Sequence, residues 1–183
     1  GLSAQEYVDI QNLYARYNLM SDAGDAEGYA SCFTDDGVLQ IDPLGVTMQG
    51  RASFVSFKQK DAAGRGGRYR RHWNGSLHLQ KQPDGSVRGR CYLHGYNGEP
   101  GRLPELADVG SYVDRIVKEA GEWKFAERQI TMDASSFKAP NHMSAGPENP
   151  FAPPQNGRYD ARGMTTTPLM LGRKPLLIPS ERG

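Results

Sequence analysis

The stretch Tyr69-Arg-Arg-His-Trp-Asn-Gly-Ser-Leu-His-Leu-Gln80 is the first of four extended segments that decide the fold. The other three are predicted as strands at residues 86–96, 109–118 and 123–132. Pro83-Asp-Gly85 and Glu119-Ala-Gly-Glu122 supply tight turns, whereas residues 97–106 are expected to form a long loop. Long strands joined in this way predict an antiparallel meander.

Helices are predicted before these strands. Ser3-Ala-Gln-Glu6 has the form of a capping box, and apolar residues spaced by three and four follow it, which predicts a helix of about 17 residues ending near Gly24. A second helix is expected at 26–33 after an Asp25 cap, and a third at 54–60. Short strands at 38–41 and 46–49 are predicted between them. Helices followed by a strand meander indicate an α+β domain, with the helices on one face of the sheet.

Composition limits the classes of function. The chain has 183 residues, of which 37% are hydrophobic, and this fits one domain with a real core. The 22 basic and 21 acidic side chains leave a net charge of +1, so neither a nucleic acid nor an anionic membrane is an expected partner. No signal peptide or membrane-spanning run is apparent, and the expected location is the cytoplasm.

The two cysteines, Cys32 and Cys91, exclude a disulfide scaffold and a structural zinc site. Both lie in apolar contexts and are interpreted as small buried thiols.

The chain divides near residue 137. Residues 1–137 carry the helix and strand patterns, whereas 138–183 contain eight of the twelve prolines and little periodicity. This Pro-rich extension cannot build its own core, but it has apolar anchors, including Leu176-Leu-Ile178. We therefore expect it to wrap over the domain or over a neighbouring subunit.

Several motifs in residues 3–132 together resemble the SnoaL-like branch of the nuclear-transport-factor-2-like (NTF2-like) superfamily. They are Ile10-Gln-Asn-Leu-Tyr-Ala-Arg-Tyr17, Ser21-Asp-Ala-Gly-Asp-Ala-Glu-Gly-Tyr29, Cys32-Phe-Thr-Asp-Asp-Gly-Val-Leu39, Gly50-Arg-Ala-Ser-Phe54, Arg71-His72 and Gly121-Glu-Trp-Lys-Phe125. The resemblance implies a cone-shaped, curved antiparallel sheet closed by three N-terminal helices, a cystatin-like α+β barrel. The functional models that it suggests are scytalone and bile-acid dehydratases and a hexachlorocyclohexane dehydrochlorinase.

The resemblance also implies a catalytic pair that works without a metal or an organic cofactor. These enzymes share an aspartate at the end of the first helix and a histidine at the start of the strand after the third, and the matching residues are Asp22 and His72. Histidine titrates near neutrality and can move a proton, while a carboxylate on its far nitrogen fixes the tautomer. Without the resemblance, Asp22 would be read as a helix-end residue and His72 as part of an exposed basic strand.

Further residues are weaker candidates. The tyrosines best placed by sequence to contact a substrate are Tyr14, Tyr17, Tyr29, Tyr92 and Tyr112. The resemblance adds His94, for which a satisfied surface or core role is the alternative. Strict alternation puts His72 and His78 on one strand face, unless a bulge at Gly75 exchanges the faces. Ser21 departs from the scytalone-type pattern, which has a tyrosine there. The cluster Arg65, Arg68, Arg70 and Arg71 is read as a solvated edge or as a site for an anionic substrate group.

The expected function is that of a cofactor-independent lyase, a dehydratase first and an isomerase second, acting on a small hydrophobic cyclic molecule in a deep apolar pocket. Two alternatives stand beside it. One is a non-catalytic β subunit of an aromatic-ring-hydroxylating dioxygenase, and the other is a ligand-binding module. A homodimer or homotrimer is expected in the enzyme case.

Overall fold

A computed structural model describes residues 1–136 of the chain. The predicted extension at 138–183, including His142, lies outside the described residues. The elements are α1 (Ala4–Ala23), α2 (Ala26–Ala30), β1 (Phe33–Asp42), β2 (Val46–Gln49), α3 (Arg51–Ala63), β3 (Tyr69–Lys81), β4 (Val87–Gly98), β5 (Glu105–Glu119) and β6 (Glu122–Ser135). Within residues 1–136, none of the helices has both the length and the apolar character needed to cross a membrane.

The six strands form one unclosed sheet in the order β2-β1-β6-β5-β4-β3. Strands β3 to β6 pair as an antiparallel meander, and β1 pairs antiparallel with β2. The pairing of β1 with β6 is parallel. The predicted α+β class, with three helices preceding the meander, is confirmed.

Capping interactions determine where helix α1 begins and ends. The Ser3 hydroxyl accepts from the Glu6 N–H at 3.2 Å, and the Glu6 carboxylate accepts from the Ser3 N–H at 2.8 Å, so the capping box is formed. The helix ends at Gly24, whose φ of 72° lies in the left-handed region that glycine adopts without steric cost.

Several element boundaries differ from the sequence prediction. Strand β1 begins at Phe33 instead of residue 38, and helix α2 accordingly ends at Ala30. Strand β5 begins at Glu105, because residues 105–108 pair with residues 95–97 of β4. Helix α3 covers Arg51–Ala63 and is longer than predicted. Pairing with a neighbouring strand thus overrides the turn and proline signals that suggested loops.

A bulge in β3 decides which side chains face the helices. The β3–β4 register shifts between Gly75 and His78, and Ser76 has a φ of 56°. His72 is partly buried before the bulge, and Leu77 is partly buried after it, while His78 is exposed. The exchange of faces proposed for Gly75 is therefore confirmed.

The core contains a buried ion pair. Arg128 on β6 is 1% exposed and Asp114 on β5 is 2% exposed, with the Arg128 Nε and Nη2 atoms donating to the carboxylate at 2.8 and 2.9 Å. The hydroxyl of Tyr14 donates to the same carboxylate. The guanidinium also lies over the rings of Tyr17, Phe125, Tyr112 and Tyr14, at 3.8 to 5.1 Å from their centroids. Burial opposes the charge on Arg128, but Asp114 raises the pKa of Arg128 well above its ordinary value.

We predict that Arg128→Met destabilises the protein by about 3–5 kcal/mol, because it leaves the Asp114 charge buried without its cation. Urea denaturation measures this loss. The double variant R128M/D114N should recover part of the stability, because the second substitution removes the unpaired charge. Equal destabilisation of R128M and the double variant would contradict this account.

Gly24 gives a second prediction about stability. A Cβ atom added at Gly24 would lie 2.9 Å from the Cβ of Ala62 on α3, and it would also occupy the left-handed region. We expect Gly24→Ala to cost about 1–2 kcal/mol of unfolding free energy. Gly64→Ala is the matched control, because Gly64 ends α3 with a φ of −76° and its added Cβ would meet nothing closer than 3.4 Å. Urea denaturation showing equal losses for the two variants would refute this reading of Gly24.

Candidate active site

The structure brings Asp22 and His72 into direct contact across 50 residues of sequence. Asp22 lies in the last turn of α1, and His72 is the fourth residue of β3. The Asp22 Oδ1 atom is 2.5 Å from His72 Nδ1, and Oδ2 accepts from the His72 backbone N–H at 2.9 Å. Both side chains are about nine-tenths buried, with exposures of 9% and 10%. One carboxylate thus holds the strand backbone and the ring together.

These contacts fix the tautomer of His72. An ionised carboxylate only accepts hydrogen bonds, so the proton of the ring lies on Nδ1. The Nε of Arg70 only donates, and it lies 3.2 Å from His72 Nε2, which therefore presents its lone pair. Neutral His72 has its basic atom on the side opposite Asp22, as a general base requires.

The surroundings of His72 favour its neutral form. Burial lowers the pKa of His72 below its ordinary value, Asp22 opposes this shift, and the cations Arg70 and Lys58 add to it. At neutral pH the ring is therefore ready to accept a proton.

Arg70 is a site residue that the sequence did not single out. Its Nη1 donates to Asn97 Oδ1 at 3.0 Å, and its Nη2 pairs with Asp108, a carboxylate that is 1% exposed. Sequence analysis indicated only a cluster of arginines, although strand alternation could have shown that Arg70 and His72 share a face. Arg70 belongs to this buried polar network, whereas Arg71 is exposed.

Four of the predicted substrate-contacting tyrosines lie in the core. Tyr14, Tyr17, Tyr29 and Tyr112 are each 4% exposed or less. The hydroxyls of Tyr17 and Tyr29 are 3.2 Å apart, and burial raises the pKa of both, so they remain protonated. Tyr29 is connected to the pair through Lys58, whose Nζ lies 4.6 Å from its ring centroid and donates to Ser21, the neighbour of Asp22.

The structure does not bring the other two candidates to the pair. Tyr92 is 53% exposed and His94 is also exposed, because both alternate with the buried residues Cys91 and Leu93 of β4. His94 is the strand partner of Trp73, which is 68% exposed on β3. These side chains thus lie on the sheet face opposite His72, and the sequence assignment of Tyr92 and His94 to the pocket is corrected accordingly.

Cys32 and Cys91 are free and buried, as predicted, and burial raises the pKa of Cys91 to about 12. Among residues 1–136, no group of three or more His, Cys, Asp or Glu side chains is arranged to hold a metal ion.

The lowered pKa of His72 predicts a pH dependence of stability. Below about pH 6.5, His72 binds a proton in the unfolded chain more readily than in the folded protein. The free energy of unfolding therefore falls as the pH decreases through this window. An NMR titration of the His72 ring should show a midpoint below that of free histidine. Asp22→Asn should lower it further, because the carboxylate favours the charged ring. A midpoint above the ordinary value would contradict this description, and His72→Gln serves to assign the resonance.

Comparison with known proteins agrees with this architecture. A protein of unknown function from Mycobacterium tuberculosis is 30% identical, and the match covers 70% of this chain and 72% of that one with a TM-score of 0.62. ActVI-ORFA from Streptomyces coelicolor is 26% identical over 69% of this chain and 96% of its own, with a TM-score of 0.65. A Nostoc punctiforme protein described as having a cystatin-like fold is 26% identical over 72% and 94% of the two chains, with a TM-score of 0.62.

No curated protein matches the chain. The family model described as SnoaL-like domain matches residues 3–129. The chain therefore belongs to the SnoaL-like family, within the NTF2-like superfamily.

Proposed function

We propose that the protein is a cofactor-independent lyase, or secondly an isomerase, that acts on a small hydrophobic cyclic molecule by general acid–base catalysis. The observation that carries the proposal is the contact of Asp22 Oδ1 with His72 Nδ1, which leaves Nε2 as the basic atom. His72 is the proposed acid and base, and Asp22 is its orienting partner.

The proposed reaction starts with transfer of a proton from an acidic C–H bond of the substrate to His72 Nε2. In a dehydration, the electron pair of that bond forms a C=C bond as the neighbouring C–OH bond breaks, and the imidazolium returns its proton so that water leaves. In an isomerisation, the proton returns to another carbon of a conjugated carbonyl system. The Asp22 carboxylate stabilises the imidazolium in both reactions.

A substrate must displace the contact between Arg70 and His72 before it can reach Nε2. The Arg70 Nε–H donates to His72 Nε2 at 3.2 Å. The other two nitrogens of Arg70 bind Asn97 and Asp108. We propose that the substrate C–H replaces this contact as the Arg70 guanidinium turns away from Nε2, which requires that it release at least one of its two Nη partners. The displaced Nε–H is then available to a carbonyl or hydroxyl oxygen of the substrate.

The first test measures proton abstraction without requiring the natural leaving group. A panel of cyclic ketones and β-hydroxy ketones is incubated with the protein in D2O, and NMR follows deuterium entry next to the carbonyl. Loss of water marks elimination, and a shifted double bond marks isomerisation. We expect His72→Ala to lower the rate by about 10²- to 10⁴-fold, since this is the usual contribution of a general base.

His78→Ala is the matched control, because His78 lies on the same strand but is exposed on the opposite face. It should retain full activity. A His72→Ala variant that is folded and fully active would refute the proposal.

A ligand-binding module is a second candidate, and the observation that favours it is that Arg70 already occupies His72 Nε2. In that case, compounds from the same panel would bind with no deuterium exchange above that of the variant. The remaining alternative is a dioxygenase β subunit, and the native mass of the purified protein tests it. A homodimer or homotrimer favours the enzyme, whereas obligate co-purification with a large chain favours the β subunit. A cytoplasmic location remains a prediction.

A further inference from the structure

The C-terminal end of α1 is held by an arginine from the segment after α3. Arg65 donates from Nη1 to the Asp22 carbonyl at 2.6 Å and from Nη2 to the Ser21 carbonyl at 2.7 Å. Carbonyls in the last turn of a helix lack the N–H partner that a further turn would supply, and they carry the negative end of the helix dipole. The Ser21 carbonyl accepts from the Gly24 N–H at 3.1 Å in addition to its contact with Arg65. A guanidinium is suited to this place, because its planar fork binds two oxygens at once.

Arg65 is itself held by α3. Asp61 Oδ2 accepts from Arg65 Nη2 at 2.7 Å and from Lys58 Nζ at 3.0 Å. Lys58, whose side chain is 5% exposed, also donates to the Ser21 hydroxyl at 2.8 Å. We call Lys58, Asp61 and Arg65 the α3 charge cluster. It binds the backbone of Asp22 and both the backbone and the side chain of Ser21.

We infer that Arg65 is a positioning residue, which fixes the last turn of α1 so that the Asp22 carboxylate meets both the backbone and the ring of His72. The kinetic part of this inference rests on the proposed function, but the geometric part does not. Arg65 is 14% exposed, so it is neither a solvated edge residue nor free to bind an anionic substrate group.

The physical reason lies in the geometry that Asp22 must satisfy. Its two oxygens reach different atoms of one residue, at 2.5 and 2.9 Å, and a small displacement of the helix end breaks at least one contact. Helix ends fray, and the carbonyls that Arg65 binds belong to Asp22 itself and to the residue before it. Gly24, which follows this turn, also lies close to α3, since a Cβ atom added there would be 2.9 Å from the Cβ of Ala62.

The test compares Arg65→Gln with Arg51→Gln. Arg51 begins α3 and pairs with Glu27 on α2, but both side chains are at least half exposed, so its loss removes an arginine of α3 without touching the end of α1. NMR of the whole protein, labelled at histidine, follows the Nδ1 proton and the pKa of His72. Burial lowers this pKa, and the charged groups that act on it are Asp22 from α1, Lys58 from α3 and Arg70 on β3. Arg70 is paired with Asp108 on β5.

The direction of the His72 pKa shift in Arg65→Gln distinguishes two explanations. Loss of a nearby cation acting only through space would raise the pKa of His72. A loosened Asp22 would withdraw the contact that favours the charged ring, so it would lower the pKa and broaden or abolish the hydrogen-bonded Nδ1 proton signal. We expect the second result for Arg65→Gln and no change for Arg51→Gln.

An unchanged His72 signal in a folded but less stable Arg65→Gln variant would overturn the inference, since it would show a merely structural role. If this variant does not fold, Arg65→Lys replaces it, because lysine keeps the charge but not the two-carbonyl fork. It should then shift the His72 pKa in the same direction, and an unchanged value overturns the inference.

Kinetics form a separate arm. On a substrate from the panel, the kcat of Arg65→Gln should be at least about 10-fold below that of the wild-type protein, with little change in KM. A misplaced base slows the proton transfer more than it weakens substrate binding. Absence of turnover in the wild-type protein would count against the proposed function, while the NMR result would still decide the role of Arg65.

Discussion

The charge of Arg128 in the core is the constraint on which the arrangement depends. A guanidinium removed from water needs an anion and polarisable surfaces, and Asp114 with four aromatic rings supplies them. Two of these rings, Tyr14 and Tyr17, belong to α1. The ion pair therefore fixes where the helix crosses the sheet. Asp22 lies five residues beyond Tyr17, about 7.5 Å further along the same axis.

The chemistry of the site is thus positioned through two parts of α1. Packing on Arg128 fixes its middle, whereas Arg65 binds the carbonyls of its last turn. β3 contributes His72 just before its bulge, in the stretch where regular pairing with β4 holds the backbone. Because Asp22 also accepts from the His72 backbone N–H, the ring and the strand cannot move independently of the helix end.

The sequence predicted the parts of this structure that depend on local signals. The capping box, the Gly24 helix end and the strand alternation gave the elements, and the ordered motifs gave the pairing of Asp22 with His72. The extra residues of β1 and β5 were missed, because their strand character comes from partners distant in sequence. Arg65 was read as part of a solvated edge or an anion site, since no pattern in the sequence shows that a loop arginine turns inward to carbonyls. Alternation with His72 could have assigned Arg70 to the inner face. Tyr92 and His94 were misplaced, although alternation with Cys91 and Leu93 could have assigned them to the outer face.

The charges around His72 also constrain the type of reaction. Arg70 and Lys58 destabilise the protonated form of His72, and Asp22 stabilises it. Protonation of Nε2 is therefore less favourable than in a free histidine. The same cations favour negative charge developing on a substrate oxygen. A reaction in which the base soon returns its proton, to a leaving hydroxyl or to another carbon, suits this balance. One that requires a long-lived imidazolium does not. If His72 acts as proposed, these charges suit elimination and isomerisation better than a reaction that holds the proton on the ring.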